Sequence, residues 1–377
     1  MKINFFGDFV APTIKTLKIS ERLSSFLKDG DLNVINFEAP ILPSTNISGE
    51  PLGIEKSGPN LCQNESAPQW LEDNGFSIVS FSNNHIMDYG KVGLVATRNA
   101  FKKAKIIGAG EWDNAYQPCI IEIDGKKIGI LALAHYEFGM LADKWDSRYD
   151  SGVAWINFSN VNNIIIETRK KVDFLIVFAH AGVENIEQPL PEWRDRYYSF
   201  IDLGCDAVIA SHPHIIQGWE LYRNKPIVYS LGNFYFPKDI PKSQHWYKSV
   251  CAQLSISNSN EIVFSHIPLY FKNGFIDFDE SIETQEYIKK VNIVLKDKKL
   301  YMEYINNVCI SMLKHYEELF SYSGYVNIKN PSNVIKQMMR YMLKHHFLSS
   351  THLNNNLRCE SHQWCISRGL KIRDNYQ

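Results

Sequence analysis

Short apolar runs alternate with amphipathic stretches over residues 1–270. The runs are rich in β-branched and aromatic residues, which predicts buried strands. The stretches between them have helical spacing, and Gly75 and Gly204 lie where helix-ending glycines are expected. This alternation predicts an α/β architecture. The predicted strands are 3–6, 34–37, 78–81, 128–134, 174–179, 207–210 and 227–229, with 119–123 and 128–133 as a hairpin, and the predicted helices are 67–74, 92–104, 160–171 and 191–203.

The pattern changes after about residue 275. Residues 282–320 carry apolar positions at helical spacing, and Ser332 can cap a second helix with Val334, Met338 and Met342 on one face. The last 25 or so residues show no clear period. The sequence therefore predicts an α/β domain over residues 1–275 and a helical C-terminal extension over 276–377.

The charge balance limits the classes of partner. Lysine and arginine number 40 and aspartate and glutamate 41, so the net charge of −1 argues against nucleic acid as a partner. Residues 281–377 nevertheless hold 14 basic and 8 acidic residues. This excess is either an ordinary solvated helical face or a docking surface for an anionic partner.

Two further features bear on the compartment. The seven cysteines are scattered and include no CxxC pair, which fits a reducing environment rather than a disulfide framework. The chain begins MKINFFGDF without the features of a signal peptide, and no run reaches the ~18 apolar residues of a membrane span. The sequence thus predicts a soluble, cytoplasmic protein with no membrane span.

Residues that can bind metals follow nearly every predicted strand. In α/β folds, functional side chains collect beyond the carboxyl ends of the strands. Each of these residues in this sequence also has a structural interpretation, since an aspartate after a strand often forms a turn and a single histidine is often structural. Their repeated placement favours one shared site, and carboxylate, amide and imidazole ligands together suit Mn²⁺, Zn²⁺ or Fe²⁺. The residues are Asp8, Glu38, Asn84, His85, His180, His212 and His214.

The spacing of these residues suggests a chemistry. In an extended strand, His212 and His214 would face one pocket. A bridging carboxylate such as Glu38 can hold two cations about 3.5–4 Å apart, which would clamp a phosphoryl group and activate a shared water. His85 could then protonate a leaving oxygen. Asp88 either orients the His85 ring or belongs to a turn.

Five segments together resemble the CapA-type capsule (poly-γ-glutamate) biosynthesis family, within the calcineurin-like metallophosphoesterase superfamily. The resemblance covers about residues 1–275, and the C-terminal region has no recognised counterpart. The segments are NFEAPI (36–41), SFSNNHIMDYG (80–90), FAHAGVE (178–184), ASHPHIIQGWE (210–220) and YSLGNF (229–234).

The resemblance implies a four-layer α/β/β/α sandwich with a dinuclear metal centre. Asp8 and His214 would bind the first metal, Glu38 would bridge, Asn84, His180 and His212 would bind the second metal, and His85 would be the proton donor. Lys56 matches a basic position of the family, and it is either a substrate-binding residue or a solvated loop lysine. The superfamily's Asp-x-His motif reads Asp8-Phe9-Val10 here, so the first metal site lacks one imidazole.

The function implied is that of a metal-dependent phosphoesterase (hydrolase) in capsule or surface-polymer biosynthesis, with metal-activated hydroxide attacking an anionic small-molecule or polymer-precursor substrate. Its cofactors would be two divalent metal ions, with Mn, Zn and Fe all open. The alternative is a non-catalytic accessory component of a polymer synthesis complex that docks capsule-biosynthesis proteins through its C-terminal helices. The sequence lacks GxxxxGK[ST] and GxSxG motifs, which argues against nucleotide-driven ligation and serine hydrolysis.

Overall fold

Two large β-sheets form the centre of the computed structural model, which describes residues 1–42, 53–140, 150–321 and 350–374. The strands of this part of the chain are β1 (Lys2–Phe9), β2 (Lys18–Ile19), β3 (Leu32–Phe37), β4 (Ile78–Ser80), β5 (Lys105–Ile107), β6 (Ala109–Glu111), β7 (Cys119–Ile123), β8 (Lys126–Ala134), β9 (Ser151–Val153), β10 (Phe174–His180), β11 (Ala207–Ser211), β12 (Trp219–Tyr222), β13 (Lys225–Val228), β14 (Asn233–Tyr235), β15 (Lys248–Ile256), β16 (Ile262–Lys272) and β17 (Phe275–Phe278).

The helices surround these sheets. Those of the described residues are α1 (Glu21–Asp29), α2 (Ala67–Asp73), α3 (Gly90–Ala100), α4 (Trp112–Ala115), α5 (Val161–Arg169), α6 (Pro191–Asp202), α7 (Ile282–Lys296), α8 (Lys298–Ser321), α9 (Ser350–Arg358) and α10 (Glu360–Asp374). None of them is long and apolar enough to cross a membrane.

The first sheet runs β2-β17-β16-β15-β1-β3-β4-β5, with β14 also paired to β1, and the second runs β12-β13-β11-β10-β8-β7. In both sheets the central strands are parallel: β1 with β3 and β3 with β4, and β8 with β10 and β10 with β11. The predicted hairpin is confirmed as the antiparallel pair β7–β8. The carboxyl ends of the parallel strands therefore gather at one edge of each sheet.

Alternation of side chains along the strands builds the layers. Phe5 of β1 packs between the sheets with Ile176 of β10, whereas its neighbour Phe6 packs with Leu23 of α1 on the outer face. Leu175 of β10 packs on the outer face of the second sheet, against α5, α6, α8 and α10. The predicted four-layer α/β/β/α sandwich is thus confirmed.

The C-terminal region departs from the sequence expectation in two ways. Residues 282–320 form two helices rather than one. Asp297 caps the N-terminus of α8, because its carboxylate accepts hydrogen bonds from the amides of Lys299 and Leu300. The stretch without a clear period forms α9 and α10. Its buried side includes Glu360, Ser361 and Gly369, which apolar periodicity does not detect. The predicted helix after Ser332 lies outside the described residues.

The division into domains remains a prediction. Helices beyond residue 276 contribute buried side chains to the same hydrophobic cluster as α6, among them Ile305 of α8 and Cys365 of α10. All seven cysteines lie in the described residues and are free thiols.

Candidate metal centre

Six of the predicted residues meet where the two sheets bring their strand ends together. Asp8 is the penultimate residue of β1, while Glu38 and Asn84 follow β3 and β4. His180 ends β10, and the two remaining histidines follow β11. We call this set the strand-end centre, and it consists of Asp8, Glu38, Asn84, His180, His212 and His214.

Two overlapping groups of potential metal ligands lie within this centre. Asp8, Glu38 and His214 form one group, and Glu38, His180 and His212 form the other; within each group the ligand atoms lie within 4.8 Å of one another. The Asn84 carboxamide oxygen lies 3.0 Å from His180 Nε2. Glu38 alone belongs to both groups, which is the arrangement that a bridging carboxylate requires.

A glycine pair places Asp8. The Asp8 amide donates to the Gly232 carbonyl over 3.1 Å, where β1 passes β14. A Cβ atom on Gly7 would lie only 1.8 Å from that carbonyl oxygen, so this approach requires glycine. The carboxylate itself accepts bonds from Asn36 Nδ2 at 2.8 Å and from the His212 amide at 3.2 Å.

His212 and His214 share the pocket for a reason other than the predicted one. The strand ends at Ser211, and both histidines have left-handed backbone, with φ of 103° and 61°. The two histidines do share a pocket, but the predicted reason, that alternate residues of an extended strand point the same way, is wrong. Asn233 holds the turn, because its side chain donates to the His214 carbonyl at 3.0 Å and lies 3.0 Å from His214 Nδ1. Non-glycine residues with such φ are strained and cluster at functional sites.

The carboxylates and histidines of the centre are strongly coupled. Burial alone would raise the pKa of Asp8, but its bonds to His180 and His214 and their charges hold that pKa well below its ordinary value. Burial lowers the pKa values of His180 and His214, yet the charge of Glu38 and the bonds to Asp8 outweigh it and raise both to about 9. Burial and neighbouring histidines lower the pKa of His212. His212 is thus neutral, the form that binds metals.

The donor set fits divalent cations. Glu38 is fully buried, and within the described residues neither of its carboxylate oxygens has a hydrogen-bond partner. His212 Nε2 is also buried without such a partner there. Buried polar atoms are nearly always satisfied, so these atoms call for a further group. Two histidine-bearing groups around a shared carboxylate provide the nitrogen and oxygen ligands of Mn²⁺, Zn²⁺ or Fe²⁺.

A second predicted pair lies beside the centre. His85 Nδ1 is 2.7 Å from Asp88 Oδ2, and the role of Asp88 in orienting the ring stays a prediction. The Lys56 ammonium contacts Asp88 Oδ1 and lies 3.0 Å from His85 Nδ1. Lys56 is buried, and burial lowers its pKa in spite of the Asp88 charge. Lys56 is therefore not a solvated loop lysine, while its role toward a substrate remains a prediction.

Sequence reasoning missed a neighbouring group of residues, which we call the cap cluster: His135, Glu137, Cys359 and His362. The Glu137 carboxylate lies 3.4 Å from His135 Nε2, 3.9 Å from His212 Nε2 and 3.1 Å from Cys359 Sγ. Burial raises the pKa of Glu137 to about 7. His135 and Glu137 follow the predicted strand 128–134, so the strand-end rule could have found them. Nothing in the local sequence placed Cys359 and His362 there.

Residues at the start of α10 hold the C-terminal part of the cap cluster against the rest of the molecule. Glu360 accepts from the Tyr136 amide at 2.8 Å, from Trp155 Nε1 at 3.1 Å and from Asn157 Nδ2 at 2.7 Å. Ser361 Oγ donates to the Gly182 carbonyl at 2.5 Å. The C-terminal segment therefore reaches the loops that follow β8 and β10.

Sequence comparison shows that the chain is similar to several known proteins. A family model described as "Bacterial capsule synthesis protein PGA_cap" matches residues 8–238. The chain is 25% identical to "Capsule biosynthesis protein CapA" of Bacillus anthracis over 262 residues, which cover 68% of this chain and 62% of that protein. It is 29% identical to "PGA biosynthesis protein CapA" of Bacillus subtilis (strain 168) over 205 residues, covering 53% of this chain and 52% of that protein.

A third relative has a different description. The chain is 26% identical over 167 residues to a "Probable polyglutamine synthesis accessory protein" of Mycobacterium tuberculosis, with 41% of this chain and 44% of that protein covered. The matches thus span about half of the length of these relatives. The family model ends before β15, so α7 to α10 and the cap cluster residues that they supply lie beyond the matched residues.

Proposed function

The chain belongs to the family of bacterial capsule synthesis proteins PGA_cap, and from this premise we propose that it is a metal-dependent phosphoesterase in the synthesis of a capsule or another surface polymer. The resemblance noted in the sequence to the capsule biosynthesis family is confirmed by that match. The observation that carries the proposal is the buried Glu38 carboxylate, whose oxygens accept no hydrogen bond within the described residues. Its Oε1 lies 3.4 Å from His180 Nε2 and 3.6 Å from His214 Nε2, between the two histidine-bearing groups.

The chain's own residues have distinct parts in this proposal. Asp8, Glu38 and His214 would hold one cation, and Asn84, His180 and His212, with Glu38 shared, would hold a second. When bound, such cations supply charge stabilisation for a phosphoryl group and an activated water nucleophile. The first group contains three ligands, since the imidazole of the Asp-x-His motif is replaced by Val10. It is therefore the weaker of the two sites.

His85 is the proton donor of the proposal. Its Nδ1 faces the Asp88 carboxylate at 2.7 Å, an arrangement that fixes the ring and leaves Nε2 for the departing oxygen. The Lys56 ammonium contacts the other oxygen of the same carboxylate and so fixes its position. The ring is thus oriented before a substrate binds.

The test compares wild-type protein with His85→Ala after reconstitution with Mn²⁺. The substrates are p-nitrophenyl phosphate, a monoester, and bis(p-nitrophenyl) phosphate, a diester. We expect kcat for the hydrolysed ester to fall by roughly 10²- to 10⁴-fold in His85→Ala, because a positioned acid contributes that much. Metal content should not change. His266→Ala, an exposed histidine on β16, is the matched control and should retain wild-type activity.

Two results would contradict the proposal. If His85→Ala loses its metal, His85 is a ligand and not the proton donor. If metal-loaded wild-type protein hydrolyses neither ester, the second candidate function takes precedence.

The second candidate is a non-catalytic accessory component of a polymer synthesis complex. It is favoured by the excess of basic residues over 281–377 and by the description of the mycobacterial relative as an accessory protein. Deleting residues 281–377 is a poor test of it, because Leu295, Ile305 and Cys365 belong to a central hydrophobic cluster. Substitution of exposed lysines on α7 and α8 leaves that cluster intact. Binding of these variants to the polymer synthase of such a complex is then measured. An accessory component should lose binding, whereas an independent enzyme should keep its turnover.

A further inference from the structure

Glu137 lies at the meeting point of two distant parts of the chain. It follows β8, and the first residues of the C-terminal helix α10 approach it from the other side. Glu137, Cys359 and His362 offer a carboxylate oxygen, a sulfur and an imidazole nitrogen that all lie within 4.8 Å of one another. Cys359 is fully buried and Glu137 is 5% exposed. The three ligands share no residue with the strand-end centre.

The chemistry of this group matches zinc. Zn²⁺ takes thiolate, imidazole and carboxylate ligands, with bonds of about 2.3 Å to sulfur and about 2.0–2.2 Å to nitrogen and oxygen. Two ligands of a tetrahedral zinc ion with such bonds lie about 3.5 Å apart. Cys359 Sγ and Glu137 Oε2 are 3.1 Å apart, so small side-chain movements would admit the ion.

The surroundings of His362 and Glu137 add two independent observations. Tyr316 Oη lies 2.6 Å from His362 Nδ1 and fixes the ring, as partners of metal-bound histidines do. On the opposite side, His135 Nε2 is 3.4 Å from the Glu137 carboxylate and has no hydrogen-bond partner within the described residues. The Glu137 carboxylate accepts from the Phe138 amide at 3.3 Å and from Cys359 Sγ at 3.1 Å, and a cation would give this buried acid a charged partner.

We propose that Glu137, Cys359 and His362 form a third cation site, which takes Zn²⁺ and fastens the start of α10 to the loop after β8. On binding, the Cys359 sulfur forms a bond to the ion and its proton is released to solvent, so no oxidant or reductant is needed. The site joins the C-terminal segment to the neighbourhood of His212.

Cobalt spectroscopy separates this site from the strand-end centre. Co²⁺ is titrated into the metal-stripped protein comprising residues 1–377, and near-ultraviolet thiolate-to-cobalt charge-transfer absorption is recorded. The strand-end centre contains no sulfur, so such a band must come from a cysteine ligand. We expect the band in wild-type protein and its loss in Cys359→Ser. Cys365→Ser is the matched control: it removes another buried thiol, within α10 and six positions from Cys359, and it should retain the band.

A second measurement does not depend on the folding of a variant. Zinc-edge X-ray absorption of zinc-loaded wild-type protein should show a sulfur neighbour at about 2.3 Å, averaging about one sulfur for every three zinc ions when the strand-end centre is also filled. His362→Ala should lower zinc affinity at this site by more than about 10-fold. Absence of both the cobalt band and the sulfur neighbour in wild-type protein would overturn the proposal. So would a band that persists in Cys359→Ser.

Discussion

The strand-end centre and the cap cluster lie side by side but are built in different ways. Each residue of the strand-end centre comes at or just after the end of a strand, where the parallel sheets position it. The cap cluster joins Glu137 to Cys359, which are 222 positions apart in the chain. The first region is fixed by sheet geometry, and the second by the packing of a C-terminal helix. The two should therefore respond differently to substitution.

The largest effect is expected at the residue shared by both ligand groups. Glu38→Gln removes the charge that both cations would share, so the affinity for Mn²⁺ should fall more than about 100-fold, beyond the 10- to 100-fold effect of losing an outer partner. Elemental analysis after reconstitution measures this. Glu122→Gln, an exposed glutamate on β7, is the control. Full metal content in Glu38→Gln would show that Glu38 is not a ligand.

The pH dependence of metal binding tests the electrostatics of the strand-end centre. In the metal-free protein the pKa values of His180 and His214 are about 9, raised from 6.5. Cations bind neutral imidazole, so near pH 7 they must displace these protons. Affinity for Mn²⁺ should rise as pH rises toward 9, by up to about tenfold per pH unit for each proton displaced, and then level off. Calorimetry in two buffers of different ionisation enthalpy also counts the protons. A flat affinity profile from pH 6.5 to 9 would contradict this account.

The buried ion pair beside the centre should affect stability more than metal content. Asp88→Asn leaves the buried Lys56 ammonium without its partner and should lower the free energy of unfolding by about 3–5 kcal/mol. Lys56→Met in the same protein should restore part of that loss. Denaturant unfolding of the two single variants and the double variant gives the coupling. Additive effects of the two substitutions would show that the pair is not coupled.

The smallest effect is expected at Glu360, which lies next to the cap cluster at the start of α10. Glu360→Ala leaves the Tyr136 amide and Trp155 Nε1 without their acceptor, which should cost about 1–3 kcal/mol of unfolding free energy. Glu360→Gln keeps one acceptor oxygen and should cost less. The Mn²⁺ content should be that of wild type in both variants. A loss of Mn²⁺ in Glu360→Ala would mean that the two regions are not separable.

Much of the fold could be predicted because its signals are local. The buried strands are short β-branched runs, and Gly75 and Gly204 end α2 and α6 as expected. The same locality allowed the residues of the strand-end centre to be predicted, since a strand end is visible in the sequence. Their roles as metal ligands stay predictions until cations are located.

The rest depends on interactions that a sequence pattern does not reveal. The positive φ of His212 and His214 arises from a turn held by Asn233, which belongs to another strand. The buried face of α10 is formed in part by Glu360 and Ser361, and its polar residues hide the helical period. Cys359 reaches Glu137 only because that face packs against the loops of the second sheet. Contacts between distant segments therefore limited the prediction of the site.

The most direct test of the central claim is anomalous X-ray diffraction at the manganese edge from crystals of the Mn²⁺-reconstituted protein. The account predicts two anomalous peaks with the Glu38 carboxylate between them. One should lie against Asp8 and His214, and the other against His180 and His212. A single peak, or peaks away from Glu38, would contradict the claim that the strand ends form a dinuclear centre.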